Sequence, residues 1–250
     1  MSLYYRPILH THPFRPKGAK PLAGGWTWFD MVEGITRDGV SRPIHISDLP
    51  GDILENLTAP RANIAGLEFS APRLMGVLNV TPDSFSDGGQ HNSPDRALKH
   101  ARAMAHAGAD MIDVGGESTR PGAALIAEDE EITRTAPVIA ALTAELDVPI
   151  SIDTRKTAVA RAAHQAGVAL VNDVAGFTFT PDLAPFCAKT RLPVCIMHAQ
   201  GTPEIMQNGP RYDHVALDVY DYLEARIEAL TALGIPRTQI IIDPGIGFGK

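Results

Sequence analysis

The sequence predicts an α/β fold, a parallel (β/α)8 TIM barrel preceded by an N-terminal extension that carries a β-hairpin. Three observations predict it. From Leu74 onward, strand-sized apolar runs alternate with polar loops and amphipathic stretches, and alternating β and α implies a parallel sheet. The runs stay apolar almost to their C-terminal ends, as strands covered on both faces must. Their last residues are polar: Asn79, Asp113, Asp153, Asn172 with Asp173, His198 and Asp243. In a TIM barrel that face carries the chemistry. A doubly wound sheet would gather its ligand groups at one switch point, and no GxGxxG opens the first helix.

Residues 1–70 read as an extension, richer in Pro, Arg and aromatics than the remainder of the chain, and 71–250 as the barrel. Within the extension, Trp26 to Arg37 and Val40 to Ile46 flank Asp38-Gly39, a pair suited to the positive φ angles of a tight hairpin turn. A short helix is expected over Asp52 to Leu57. Trp26, Trp28 and Phe29 are costly to expose, so the extension is expected to pack on the barrel.

The barrel strands are expected at Leu74 to Val80, Met111 to Val114, Ile150 to Asp153, Ala169 to Val174, Val194 to His198 and Ile240 to Asp243. The first helix starts with Ser93 as cap and Pro94 in its first turn, aligns Leu98, Ala101, Met104 and Ala105 on one face, and stops at Gly108. Further helices are expected near Asp129 to Leu146, Lys156 to Ala166 and Val215 to Leu233, the last ended by Gly234.

Composition narrows the function. With 44% hydrophobic and 20% charged residues in 250, the chain can bury a large core. No apolar run approaches the roughly 20 residues of a membrane span. The start, Met1 to Pro16, does not read as a secretory signal, so a cytoplasmic address is expected. A net charge of -7 and the lack of a basic run disfavour nucleic acid. Cys187 and Cys195 have neither ligand nor disulfide-scaffold spacing and read as buried, reduced thiols.

The run Leu74-Met75-Gly76-Val77-Leu78-Asn79-Val80-Thr81-Pro82-Asp83-Ser84-Phe85-Ser86-Asp87-Gly88-Gly89 closely resembles the N-terminal signature of the dihydropteroate synthase family. Further family-like segments come in order: Asp113 to Pro121, Ser151 to Arg155, Val171 to Gly176 and Ile242 to Lys250. The resemblance implies a transferase that condenses 6-hydroxymethyl-7,8-dihydropterin pyrophosphate with p-aminobenzoate, giving dihydropteroate and pyrophosphate. It also implies a homodimer and a magnesium ion, Mg2+.

Each site residue has a functional and a bland reading. Asn79 offers an oxygen suited to a hard cation; the resemblance makes it the magnesium ligand, while an isolated strand-end Asn more often bonds its own loop. Thr119 donates a hydroxyl and Arg120 a forked cation suited to pyrophosphate, although a Gly-rich loop with one Arg is commonly a simple turn. Glu117 could be a structural partner for that Arg. Asp153 either caps the following helix or, as the resemblance implies, accepts hydrogen bonds from the pterin ring. Asn172 can donate and accept against a heterocycle's mixed edge, and Asp243 adds a third polar contact. Met197 reads as cavity lining or plain core, and His198 as a core histidine bonded to a carbonyl. Phe248 matches a family position near the p-aminobenzoate side or serves as a packing anchor.

Two other functions fit less well. A methyltetrahydrofolate-binding methyltransferase domain needs no pyrophosphate contact, and the Asn79 to Gly89 loop with Arg120 speaks against it. A non-catalytic pterin-binding protein is the other. A closed barrel has about eight strands and typically about 250 residues, so 74–250 falls short by two βα units. The chain is therefore expected to be a C-terminally cut version of a longer protein. It should leave both sheet edges open, aggregate and lack activity, with the family's remaining Lys, Arg and His beyond Lys250.

Overall fold

The computed structural model of the protein describes residues 3–81, 93–118, 125–201 and 209–250, the side chain of Ser93 excepted. The chain divides into two compact units, Met1–Asn63 with Leu67–Pro72, and Ile64–Gly66 with Arg73–Lys250.

The first unit holds a three-stranded antiparallel sheet in the order β1 (Leu3–Pro7), β4 (Met31–Thr36), β5 (Ser41–His45), and a short pair of β2 (Lys20–Pro21) with β3 (Trp28–Phe29). The hairpin is present as β4 and β5, with Met31 opposite His45 and Ile35 opposite Ser41. Its turn differs from the expected tight pair. Thr36 N donates to Val40 O and Gly39 N to Thr36 O, both at 3.0 Å, and of Asp38 and Gly39 only Gly39 has a positive φ, +82°. This is a three-residue loop, in which the single left-handed position falls to the glycine. The predicted run from Trp26 to Arg37 is also broken, because Asp30 separates β3 from β4. The helix expected at 52–57 is α1 (Gly51–Thr58). Phe29, Val32 and Ile46 form the unit's core, with Leu54 and Leu57 of α1 packed against it. Trp28 and Phe29 are buried as expected, but Trp26 is 57% exposed.

The second unit is a six-stranded parallel sheet flanked by helices. Its strands are β6 (Met75–Asn79), β7 (Met111–Gly115), β8 (Ile150–Asp153), β9 (Leu170–Asp173), β10 (Val194–Met197) and β11 (Ile240–Asp243). Every strand lies within about a residue of its predicted span at each end. They pair in chain order from β6 to β11 without a reversal, so the sheet has no switch point of the doubly wound kind. The architecture is that of a TIM barrel, with six of its eight strands among the described residues. Between strands run α2 (Ser93–His106), α3 (Glu128–Glu145), α4 (Thr157–Gln165), α5 (Leu183–Thr190) and α6 (Val215–Ala232).

In α2, Ala97 and Ala101 are buried while Leu98 and Met104 pack against the core; Gly108 comes next at φ +102°. The expected Ser93 cap concerns a side chain outside the described residues. The short α5, which follows Pro181 and contains Pro185, was not among the expected helices. Pro185 is tolerated there because a first-turn residue has no intrahelical acceptor for its missing N–H. The core between sheet and helices is continuous, from Leu78 and Ile112 through Ile152 and Val171 to Ile196. Cys187 and Cys195 lie in or beside it as free, buried thiols. Burial pushes the Cys187 thiol up to about 12 and raises that of Cys195 as well.

Candidate functional site

Parallel pairing puts one residue from each strand at the same height. Asn79 lies opposite Gly115, Gly115 opposite Asp153, Asp153 opposite Asn172 and Asn172 opposite Cys195. Partners at one level of a parallel sheet share a face, so Asn79, Asp153 and Asn172 form a row at the C-terminal ends of their strands. Gly115 makes the row open. A Cβ there would stand 3.3 Å from Asn79 Oδ1 and 3.6 Å from Asp153 Oδ2. Its absence leaves space between an amide oxygen and a carboxylate.

One layer deeper, Asp113 lies opposite Ser151. Asp113 Oδ1 accepts the Ser151 hydroxyl, and Oδ2 accepts Asn172 Nδ2 at 2.9 Å. Burial raises the Asp113 carboxyl above its ordinary range, with the two hydrogen bonds working against that rise. Burial also raises Asp153 well above the usual carboxylate range, and the charges of Asp113, Asp173 and Glu131 push the same way. Two acids in one dry place cannot both ionise cheaply.

Asp153 does not cap its helix. The residue before α4 is Lys156, with no side-chain cap, which leaves the Asp153 carboxylate to the mouth of the sheet. Asp173, grouped with Asn172 from sequence, belongs to the opposite face by strand alternation. Its oxygens accept Ala175 N at 2.7 Å and Phe177 N at 2.8 Å. This holds Phe177 at φ +62°, a conformation that disfavours any residue but glycine. Arg226 adds bonds to the Gly176 and Phe177 carbonyls. Burial raises Asp173 to about 6 despite the two amide bonds.

Asp243 lies opposite Met197. Its Oδ1 accepts Gly245 N at 2.7 Å. Met197 is 2% exposed, and a Cβ on Gly245 would stand 3.1 Å from its Cγ. Phe248 is half-buried, its N–H bonded to Gly245 O. Lys250 Nζ ties this turn together, donating to Gly245 O at 2.8 Å and Phe248 O at 3.0 Å. His198 is buried, but the expected carbonyl partner is not found at its Nδ1, which has none among the described residues. Burial and the nearby Lys250 charge lower its pKa, which favours the neutral ring.

Thr119 and Arg120 lie outside the described residues. The alternative pairing of Glu117 with Arg120 therefore also lies outside the described residues; within them, Glu117 pairs with Arg155 Nε at 3.1 Å and Lys156 Nζ at 3.0 Å. Burial acts to raise Glu117, and the Lys156 bond, the Ile126 amide and both cations outweigh it, holding the carboxyl below its usual value. Sequence reasoning named Asp113 at a strand end without assigning it a role. The available signal was its spacing two residues before Gly115, on the same face of one strand. Among the described residues, no group of three or more His, Cys, Asp or Glu side chains is arranged to hold a metal. A single exposed amide oxygen such as Asn79 Oδ1 still suits magnesium, which keeps several waters and takes phosphate oxygens.

Comparison with known proteins gives the family. Residues 75–250 match the family model described as pterin binding enzyme. The dihydropteroate synthase of Escherichia coli (strain K12) is 48% identical over 184 residues, 74% of this chain and 65% of that protein. The chain belongs to the dihydropteroate synthase family. Solved dihydropteroate synthases share the fold. The Yersinia pestis enzyme, in a sulfonamide drug complex, superposes with a TM-score of 0.70 at 48% identity, over 76% of this chain and 70% of that one. The Xanthomonas albilineans enzyme with 4-aminobenzoic acid gives 0.70 at 45% identity, over 77% and 69%. The chain thus spans about two thirds of the length of these dihydropteroate synthases. Among the described residues, no helix is long and apolar enough to cross a membrane.

Proposed function

We propose that the protein condenses 6-hydroxymethyl-7,8-dihydropterin pyrophosphate with p-aminobenzoate to form dihydropteroate, releasing pyrophosphate. The observation that carries this reading is the row in which Asp153 and Asn172 stand side by side above Asp113. A carboxyl beside an amide offers adjacent hydrogen-bonding groups of the kind a flat heterocycle with a mixed edge requires. Met197 supplies an apolar wall and Asp243 a further acceptor. Phe248, on the loop after β11, is assigned to the p-aminobenzoate side. Thr119 and Arg120 are assigned to the pyrophosphate.

No side-chain nucleophile is needed. The bond from the pterin methylene to the pyrophosphate oxygen breaks with its electron pair going to pyrophosphate, and the aniline nitrogen bonds that carbon and gives up one proton to water. The residues act by holding the reactants in line and by stabilising charge. Asn79 would hold magnesium, which when bound neutralises charge on the departing pyrophosphate. An anionic carboxylate at Asp153 or Asp243 would attract a cationic pterin. We assign the protein to a homodimer on the family resemblance, with the cytoplasm as its default address.

The test is calorimetry on the full-length protein. Asp153→Asn should weaken pterin binding by about 2–4 kcal/mol, the scale of losing a charged buried hydrogen bond and leaving its partner unpaired. Asn79→Ala should abolish the magnesium dependence of pyrophosphate binding while leaving the unfolding midpoint unchanged. Full pterin affinity in Asp153→Asn would remove this row from the site.

A further inference from the structure

Asp113 is 4% exposed, and among the described residues its hydrogen-bond partners are Ser151 Oγ and Asn172 Nδ2, neither of them a cation. Burying a carboxylate without a counter-charge is costly, and an apolar residue would serve the core better. The position therefore calls for a purpose beyond packing.

The purpose lies in hydrogen-bond polarity. The two ends of an Asn amide have nearly the same shape, so packing alone does not decide which way it points. The Ser151 hydroxyl donates to Asp113 Oδ1 and Asn172 Nδ2 donates to Oδ2 at 2.9 Å, so Asn172 presents its NH2 group to the acid and turns its own Oδ1 away. The Ser151 hydroxyl occupies the other carboxylate oxygen and pins the acid against rotation. Asn172 stands beside Asp153 at the strand ends, so its Oδ1 and its second N–H form a fixed acceptor and donor next to that carboxyl.

We propose that Asp113 is a positioning residue: by fixing the amide of Asn172, it sets the donor and acceptor pattern that the site reads on the edge of its heterocycle. This rests on the pterin reading above. The ligand class it selects is a flat heterocycle with a donor aimed at Asn172 Oδ1. An analogue with an acceptor at that place is rejected, because two acceptors then face each other in a dry site. Replacing Asp113 by Asn removes the polarity cue and keeps the shape. Asn172 can then flip and serve either ligand.

The experiment compares two probes by calorimetry on the full-length protein, a pterin and the corresponding pteridine-2,4-dione, in which an oxo group replaces the 2-amino donor. Wild type should prefer the pterin. In Asp113→Asn the ratio of the two dissociation constants should fall by about tenfold to a hundredfold, the range for one buried polar mismatch. Ser151→Ala should lower the ratio less, and it keeps the test decisive if Asp113→Asn fails to fold. The swapped pair, Asp113→Asn with Asn172→Asp, should regain thermal stability and not selectivity, which a purely structural role would not separate. An unchanged ratio in both single variants, with equal loss for both probes, would overturn the positioning role. Wild type that binds neither probe would overturn the pterin reading and this inference with it.

Discussion

Gly245 illustrates how much one residue decides in this molecule. It adopts φ +65°, and a Cβ would lie 2.3 Å from His198 O, far inside any allowed contact. Its N–H is the partner that fixes Asp243 Oδ1, and its carbonyl takes Lys250 Nζ. Gly245→Ala therefore combines a disfavoured dihedral with a backbone clash, and should cost about 3 kcal/mol or more of stability. Because Asp243 and Met197 flank this turn, ligand affinity should fall as well. Urea unfolding checks the first effect, and a midpoint matching wild type would mean the turn relaxes without strain. The glycine was legible in the sequence as part of a motif. The reason for it was not, since the carbonyl it must clear comes from a residue 47 positions earlier.

Between elements, the same principle operates through charge. Lys156 Nζ, just before α4, donates to Glu117 Oε1 at 3.0 Å, to Glu131 Oε2 of α3 at 2.7 Å, and to Ile126 O at 2.8 Å. Three donors meet three acceptors, so the ammonium is fully satisfied while almost wholly buried. Thr154 donates to the other oxygen of Glu131, and Arg155 stacks on Phe179, 4.3 Å from the ring centroid. This cluster joins the loops after β7 and β8 to the start of α3. Lys156→Met should destabilise by about 3–5 kcal/mol, because Glu131 loses its cation while Glu117 is left with Arg155 alone. Adding Glu131→Leu should recover part of the loss, and denaturant titration of the single and double variants measures both. A single variant as stable as wild type would mean that water or protonation already compensates these acids. From sequence, Lys156 was one more basic residue at the start of an expected helix; its partners are 25 and 39 positions away.

For the molecule as a whole, Asp173 links stability to pH. Its carboxyl shifts from 3.8 to about 6 on folding, so between those values the folded state holds the extra proton. Its contribution is complete below about pH 4 and is lost as pH rises through about 6. Wild type should gain stability over Asp173→Ala as pH falls from 6.5 to 4.5, read from urea unfolding at a series of pH values. A pH-independent difference would show that the two amide bonds fully offset burial. The six strands succeed one another across the sheet in chain order. This sequential order puts the ends of β6 through β9 in one row and lets residues nearly a hundred positions apart form one site.

The sequence by itself determined the alternation of strands and helices, the strand spans, and the family to which Asn79, Asp153, Asn172 and Asp243 belong. These are local properties: periodicity, end signals and short motifs need no distant partner. Tertiary structure alone decided that Asp153 faces the mouth instead of capping α4, that Asp173 turns to the other face and holds Phe177, that Glu117 pairs with Arg155 and Lys156, and that Asp113 orients Asn172. It also decided that Leu3–Pro7 pairs with β4 and that Trp26 stays exposed. Each of these depends on which groups meet across a sheet or between loops. A carboxylate or an amide has no fixed role until burial and its partners set its charge and direction.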